Sequence, residues 1–154
     1  MEDPATVFQQ QLTLDTTPTF VTGPALTVEF NLEIVAHDFE ATEFSFGWGD
    51  GFASVILYLD NPASIPWTAA STYELDTASG TTSGAIDIAP GVHTVTLILT
   101  GDVLTFKLDG TIIDSIAYTP DELTLNTVFV GVVNQNGGLV RWRASNLYAW
   151  NGLV

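Results

Sequence analysis

Two glutamates four residues apart, in the stretch Glu29-Phe30-Asn31-Leu32-Glu33, are the first residues whose type and spacing can do chemistry. Paired carboxylates across a sugar linkage perform glycoside hydrolysis, one as acid and the other as base or nucleophile. In an extended strand both side chains leave the same face, with Cα atoms about 13 Å apart. They must lean together to reach a working separation of roughly 5–9 Å. A plainer cause explains the same spacing. Leu26, Val28, Phe30, Leu32 and Ile34 take every second position, so the residues between them must be polar on a strand with one wet face. No catalytic residue is expected from this pair.

A second acid-bearing stretch, TGDVLTFKLDGTIIDS from Thr100 to Ser115, holds Asp102, Asp109 and Asp114 around Lys107. Gly101-Asp102 and Asp109-Gly110 each sit between apolar runs. Both suit two-residue hairpin loops, which need positive φ. The stretch is expected to form the middle of a three-strand meander from Val92 to Ile116. Asp102 and Asp109 then serve as turn residues, and Asp114 faces solvent.

The elements that must position these groups are strands. Period-two alternation marks Leu26–Ile34, Thr42–Trp48 and Val92–Thr100. FASVILYL, Phe52–Leu59, is apolar on both faces, as a covered central strand would be. Thr127–Val133 and Leu139–Trp150 complete the set. TPTFVTGP, GWGDG, DNPASIP, ASGTTSG, IAPG and NQNGG fall between strands as turn signals. The only helical candidate is a single turn at PDEL, near Thr119 to Leu125. These features predict a single all-β domain, an antiparallel sandwich or jelly roll. Residues 1–14 are read as an N-terminal arm or first strand, and 15–154 as the sandwich.

Composition narrows the classes of function. With 46% hydrophobic residues the 154-residue chain can build a core. No apolar run reaches the ~20 residues that span a bilayer. The opening MEDPATVFQQQ has neither the basic nor the apolar region of a secretory signal. Without cysteine there is no disulfide framework and no thiolate metal site. Eighteen acids against Lys107, Arg141 and Arg143 give a net charge of −15. That balance repels nucleic-acid phosphates and anionic membranes, and it suits a basic partner.

ALTVEFNLEI, then GVHTVTLILTGDVLTFKLDGTIIDS, then ASNLYAWNG resemble the concanavalin A-like lectin/glucanase sandwich in its laminin-G-like form. The resemblance covers most of the chain and implies a jelly-roll fold. Glucanases of that family carry E-x-D-x-E, where this chain has Asn31 in the middle position and places the motif in an early strand. Relatives also bind calcium through Asp, Asn and backbone oxygens. Asp50, Asp60, Asn61, Asn134 and Asn136 lie in loops of that chemistry, but no spacing matches a calcium loop. No metal and no cofactor are expected.

Sugar binding needs an exposed aromatic with polar neighbours. Trp67 follows Pro66 in a loop, so Trp67, Asp60 and Asn61 are the carbohydrate candidates. Trp48 and Trp150 end strands and are expected to cap the core. His93 falls on an apolar face and is expected to be a hydrogen-bonded core histidine. Arg141 and Arg143 are expected on one face of a late strand with Trp142 on the other, pairing with acids or forming a contact patch.

Three functions follow, in order of expectation. The first is a non-enzymatic virion structural protein, a phage capsid decoration or tail-appendage component assembled in the host cytoplasm and displayed on the virion surface. Its partners would be a major capsid or other virion protein and further copies of itself. Val7, Phe8, Gln10 and Leu12 of the N-terminal segment, with Arg141, Trp142 and Arg143, would make the contacts. The second is a glycan-binding lectin-like module, and the third a glucanase-like hydrolase.

Overall fold

The computed structural model describes residues 8–21, 25–37, 42–48, 53–59, 71–77, 79–89, 91–118, 124–134 and 140–151. Side chains are described for 25–33, 54–57, 72–77, 79–89, 91–118 and 143–150. Eleven strands run in order: β1 (Phe8–Val21), β2 (Ala25–His37), β3 (Thr42–Trp48), β4 (Ala53–Leu59), β5 (Ser71–Thr77), β6 (Gly80–Ile86), β7 (Gly91–Thr100), β8 (Val103–Leu108), β9 (Thr111–Ala117), β10 (Thr124–Asn134) and β11 (Val140–Asn151). They form two antiparallel sheets, one ordered β1-β10-β3-β4-β5-β6 and the other β11-β2-β7-β8-β9. The expected all-β sandwich is therefore the fold. Residues 119–123, which include the PDEL turn, lie outside the described residues.

Alternation builds the core. Leu26, Val28, Phe30 and Leu32 of β2 are buried, as are Val95, Leu97 and Leu99 of β7 and Leu104, Phe106 and Leu108 of β8. Val55, Leu57, Tyr73, Leu75 and Ile86 meet them from the six-stranded sheet. Period two sends each of these inward and the intervening polar residue outward. Burying side chains of this size stabilises the sandwich by about 1.5–3 kcal/mol each relative to exposure.

The meander β7–β8–β9 turns at the two glycine pairs. Gly101 has φ 58°, Asp109 φ 51° and Gly110 φ 78°. A loop with both central residues at positive φ matches the right-handed twist of its strands, which explains the Asp-Gly pair. Asp109 also has a side-chain task that turn chemistry alone does not predict. Its carboxylate accepts from the Thr94 backbone N–H at 2.8 Å and lies 2.8 Å from His93 Nδ1. The other ring nitrogen of His93 lies 2.7 Å from the Ala89 carbonyl oxygen.

The strand map differs from expectation in three places. β5 and β6 have no strong alternation of large residues, and ASGTTSG reads as a loop. In the structure the turn is short and β6 begins at Gly80. β6 is an edge strand of small residues, and one of them makes room. A Cβ on Gly84 would stand 2.9 Å from the Tyr73 hydroxyl, on the ring paired directly opposite. TPTF belongs to β1, whose pairing with β10 shifts register between Asp15 and Phe20. The shift absorbs Pro18, which cannot donate to a ladder. Residues 8–14 and 15–21 thus form one strand.

Asp114 is the third correction. It does not face solvent. On β9 the register passes from Ile112, opposite Lys107, to Asp114, opposite Phe106, with Ile113 as the extra residue of a bulge. The bulge turns Asp114 to the core side, at the edge where β9 meets β5 and β6. Its Oδ2 accepts from the Tyr73 hydroxyl at 2.7 Å and from Thr82 Oγ1 at 3.1 Å, while Oδ1 accepts from the Ser115 N–H at 2.7 Å. One carboxylate on the five-stranded sheet thereby holds two hydroxyls on the six-stranded sheet.

These bonds set a pH dependence. Burial pushes the Tyr73 phenol up, and the hydrogen bond to Asp114 adds to it, bringing it to about 12. Burial also pushes Asp114 upward, but the hydrogen bonds from Tyr73, Ser115 and Thr82 outweigh it and leave its carboxyl below 3.8. Asp109 behaves likewise: burial raises it, while His93 and the Thr94 N–H lower it further. A depressed acid stabilises the fold above its unfolded value near 4 and loses that contribution as pH falls through the folded value. A raised phenol stabilises it below about 10 and loses that contribution as pH climbs toward 12. Melting temperature against pH is therefore expected to fall on both sides, below about pH 4 and above about pH 10. The advantage of wild type over Asp114→Asn should shrink as pH drops below 4. A difference that stays constant down to pH 2 would contradict the assignment.

Candidate functional site

The outward face of the five-stranded sheet carries a cleft among the described residues. β7 contributes short side chains there, Thr94 and Thr96. β2 and β8 place longer ones on either side, Glu29 and Lys107. Short residues between long ones leave a trough. It forms an open cleft of about 350 Å³, lined by Glu29, Thr94, Thr96, Lys107, Asp109 and Gly110. That volume lies at the small end of ligand-sized sites.

Hydrogen bonds fix the floor. Thr96, 3% exposed, donates through Oγ1 to Glu29 Oε2 at 3.1 Å. Thr94 Oγ1 donates to Asn31 Oδ1 at 3.3 Å. Asp109 is held at the cleft end by the contacts with Thr94 and His93 described above. Lys107 has no hydrogen-bond or ion-pair partner among the described residues, so its ammonium group is free to donate. At the far end of β2, Glu33 receives a 3.3 Å bond from Arg143, whose side chain is 75% exposed. A pair that open contributes little to stability.

An exposed aromatic stands beside the cleft. Tyr148 lies opposite Glu29 and is 56% exposed. A bulge puts it there. Ser145 pairs with Asn31 and Tyr148 with Glu29, so β11 uses one residue more than β2, and Asn146 adopts φ 55°. Asparagine tolerates this left-handed conformation better than most residues. Unbroken alternation from Ser145 would turn Leu147 and Ala149 outward. The bulge returns both to the core and faces Tyr148 out. One row across the sheet then reads Tyr148, Glu29, Thr96, Lys107, Ile112. All four exposed large hydrophobics among the described residues, Val92, Val103, Ile112 and Tyr148, belong to strands of this sheet. So do all three basic residues of the chain.

The sequence candidates are distributed differently. Trp67, Asp60, Asn61 and Val7 lie outside the described residues. Phe8, Gln10 and Leu12 are consecutive same-parity positions of β1, opposite Asn134, Val132 and Val130 of β10. Arg141 and Arg143 flank Trp142 on β11, and the side chains of Arg141 and Trp142 lie outside the described residues. Arg143 pairs with Glu33, but the register shifts before it, leaving Arg141 opposite Ala36 and Trp142 opposite Ile34. Trp150 does not cap the core. The Asn146 bulge places it opposite Thr27 on the outward face, half-buried beside a threonine with no exposure. Glu29 and Glu33 are two rows apart, each engaged in its own contact, with no acid–base pairing between them.

No family model and no curated protein matches the chain. Solved structures share its fold. The carbohydrate recognition domain of Emp47p superposes with a TM-score of 0.62 at 13% identity, over 97% of this chain and 81% of that one. The CBM2 module of the evolved Dit of Lactobacillus casei BL23 phage J-1 gives 0.60 at 16%, over 92% and 68%. The marine PL7 alginate lyase AlyA1 from Zobellia galactanivorans gives 0.58 at 8%, over 92% and 65%. The chain thus has the β-sandwich of lectin-like carbohydrate-binding modules and alginate lyases, consistent with a concanavalin A-like fold. At these identities the likeness concerns fold alone.

Proposed function

We propose that this protein is a lectin-like carbohydrate-binding module that holds a glycan without cleaving it. The row Tyr148, Glu29, Thr96, Lys107 carries the reading: an exposed ring beside an acceptor and a free donor. Sugars present just these needs, an apolar C–H face and a rim of hydroxyls. The names of two structural neighbours, a carbohydrate recognition domain and a carbohydrate-binding module, support it. Glu29 and Glu33 act as hydrogen-bond acceptors in this account.

The setting we propose is the surface of a virion, with a capsid or other virion protein as the partner that anchors the module. The phage origin of the J-1 Dit module favours that setting. β1, an edge strand of the six-stranded sheet, is the element we assign to docking, since an unpaired strand edge accepts added strands.

A glycan array probed with the purified protein tests the function. We expect a defined set of oligosaccharides to be retained and recovered intact by mass spectrometry. Recovery of shortened or unsaturated products would make the protein an enzyme. Absence of any retained glycan, together with co-sedimentation on a particle, would leave a purely structural role.

A further inference from the structure

We infer that the cleft on the five-stranded sheet selects neutral oligosaccharides, reading adjacent hydroxyls between Glu29 and Lys107, and turns away uronic and sialic acids. This rests on the glycan-binding reading above. The chain carries −15 overall, with only three cations. An anionic sugar therefore approaches against the field of the whole molecule, screened only beyond about 8 Å at physiological salt. Among the residues whose side chains are described, the outward acids Glu29, Glu33 and Asp109 outnumber the outward cations Lys107 and Arg143, and Arg143 already serves Glu33.

A neutral diol suits the same groups. Glu29 accepts from Thr96 through one oxygen, so its other oxygen remains an acceptor for a sugar hydroxyl. Lys107 donates and cannot accept, so it takes a hydroxyl lone pair. Their strands are separated by β7 alone, about 10 Å between backbones. Two long side chains reaching over the short Thr96 can meet neighbouring hydroxyls of one ring. Tyr148, opposite Glu29 on the next strand, offers its ring to the apolar face of the adjoining sugar. Ile112 closes the other end of the row, opposite Lys107 and 61% exposed. A site for carboxylated sugars would pair its aromatic with arginine forks instead.

Titration calorimetry with two panels tests this, one of neutral oligosaccharides and one of uronate- or sialate-containing ones, each at low and physiological salt. Neutral ligands are expected to bind with little salt dependence. Lys107→Gln and Glu29→Gln should each weaken that binding about tenfold while leaving circular dichroism and melting unchanged. Binding of the acidic panel, weakening as salt rises, would overturn the selectivity and leave the module reading standing. Neutral binding that is unaffected in both variants would overturn the assignment of the diol to these residues. Failure of both panels would remove the glycan-binding function itself.

Discussion

Asp114→Ala is expected to lower unfolding free energy by about 2–4 kcal/mol, the largest loss from any single polar substitution among the described residues. The carboxylate is the acceptor for two hydroxyls on the opposite sheet and one backbone N–H on its own strand. Its removal leaves the Tyr73 hydroxyl buried without that acceptor, and an unsatisfied buried group costs more than the bond contributed. Tyr73 is 7% exposed, and its ring packs 5.9 Å from that of Phe106, so it has little freedom to turn toward water. Gly84 closes the other side. Tyr73→Phe keeps the packing and loses one bond of three, so a loss of about 1–2 kcal/mol is expected. The double variant should cost less than the sum, since both changes remove the same bond. For a domain with ~5–15 kcal/mol in total, these are readily measured shifts in denaturation midpoint. Equal midpoints for wild type and Asp114→Ala would mean that the carboxylate does not tie the sheets together.

The second large effect concerns binding. Tyr148→Ala is expected to weaken glycan affinity at least tenfold, about 1.4 kcal/mol, while stability changes little. The ring is more than half exposed, so its loss opens no cavity. Tyr148→Phe should retain most of the affinity, because stacking uses the ring. Asn146→Val should impair binding through geometry: a β-branched residue is strained at φ 55°, and the bulge that faces Tyr148 outward would be disfavoured. Asn146→Gly, which accepts that backbone without strain, should restore it. Full affinity in Tyr148→Ala would remove the aromatic from the site.

Much of the fold was legible because its signals are local. Both hairpins of the meander follow from Gly101-Asp102 and Asp109-Gly110, whose backbone needs are met within two residues. The buried faces of β2, β7 and β8 follow from strict alternation. What escaped depends on one extra residue in a strand. Bulges at Ile113 and Asn146 each reverse the facing of residues that follow. Strict alternation therefore predicts a solvent-facing Asp114 and a core-capping Trp150, and both expectations fail at a bulge. β5 and β6 escaped for another reason. Glycine, serine and threonine suit both a loop and an edge strand packed against a tyrosine ring, and only the partner strand decides. The cleft was half visible. Glu29 stands out for its spacing, but Tyr148 joins it through a pairing 119 positions away, and Lys107 through Thr96, which is 67 positions from Glu29.

The central claim is that glycan binds on the outward face of the five-stranded sheet. The six-stranded sheet offers a contrast, since its described outward residues include Glu74 and Asp76 and no cation. The most direct measurement is a two-dimensional amide NMR titration with the highest-affinity neutral oligosaccharide from the array. The account predicts shifts concentrated at Glu29, Thr94, Thr96, Lys107, Gly110 and Tyr148, with Thr72, Glu74, Asp76 and Ser83 unmoved. Shifts confined to β4, β5 and β6, with the cleft residues silent, would contradict it.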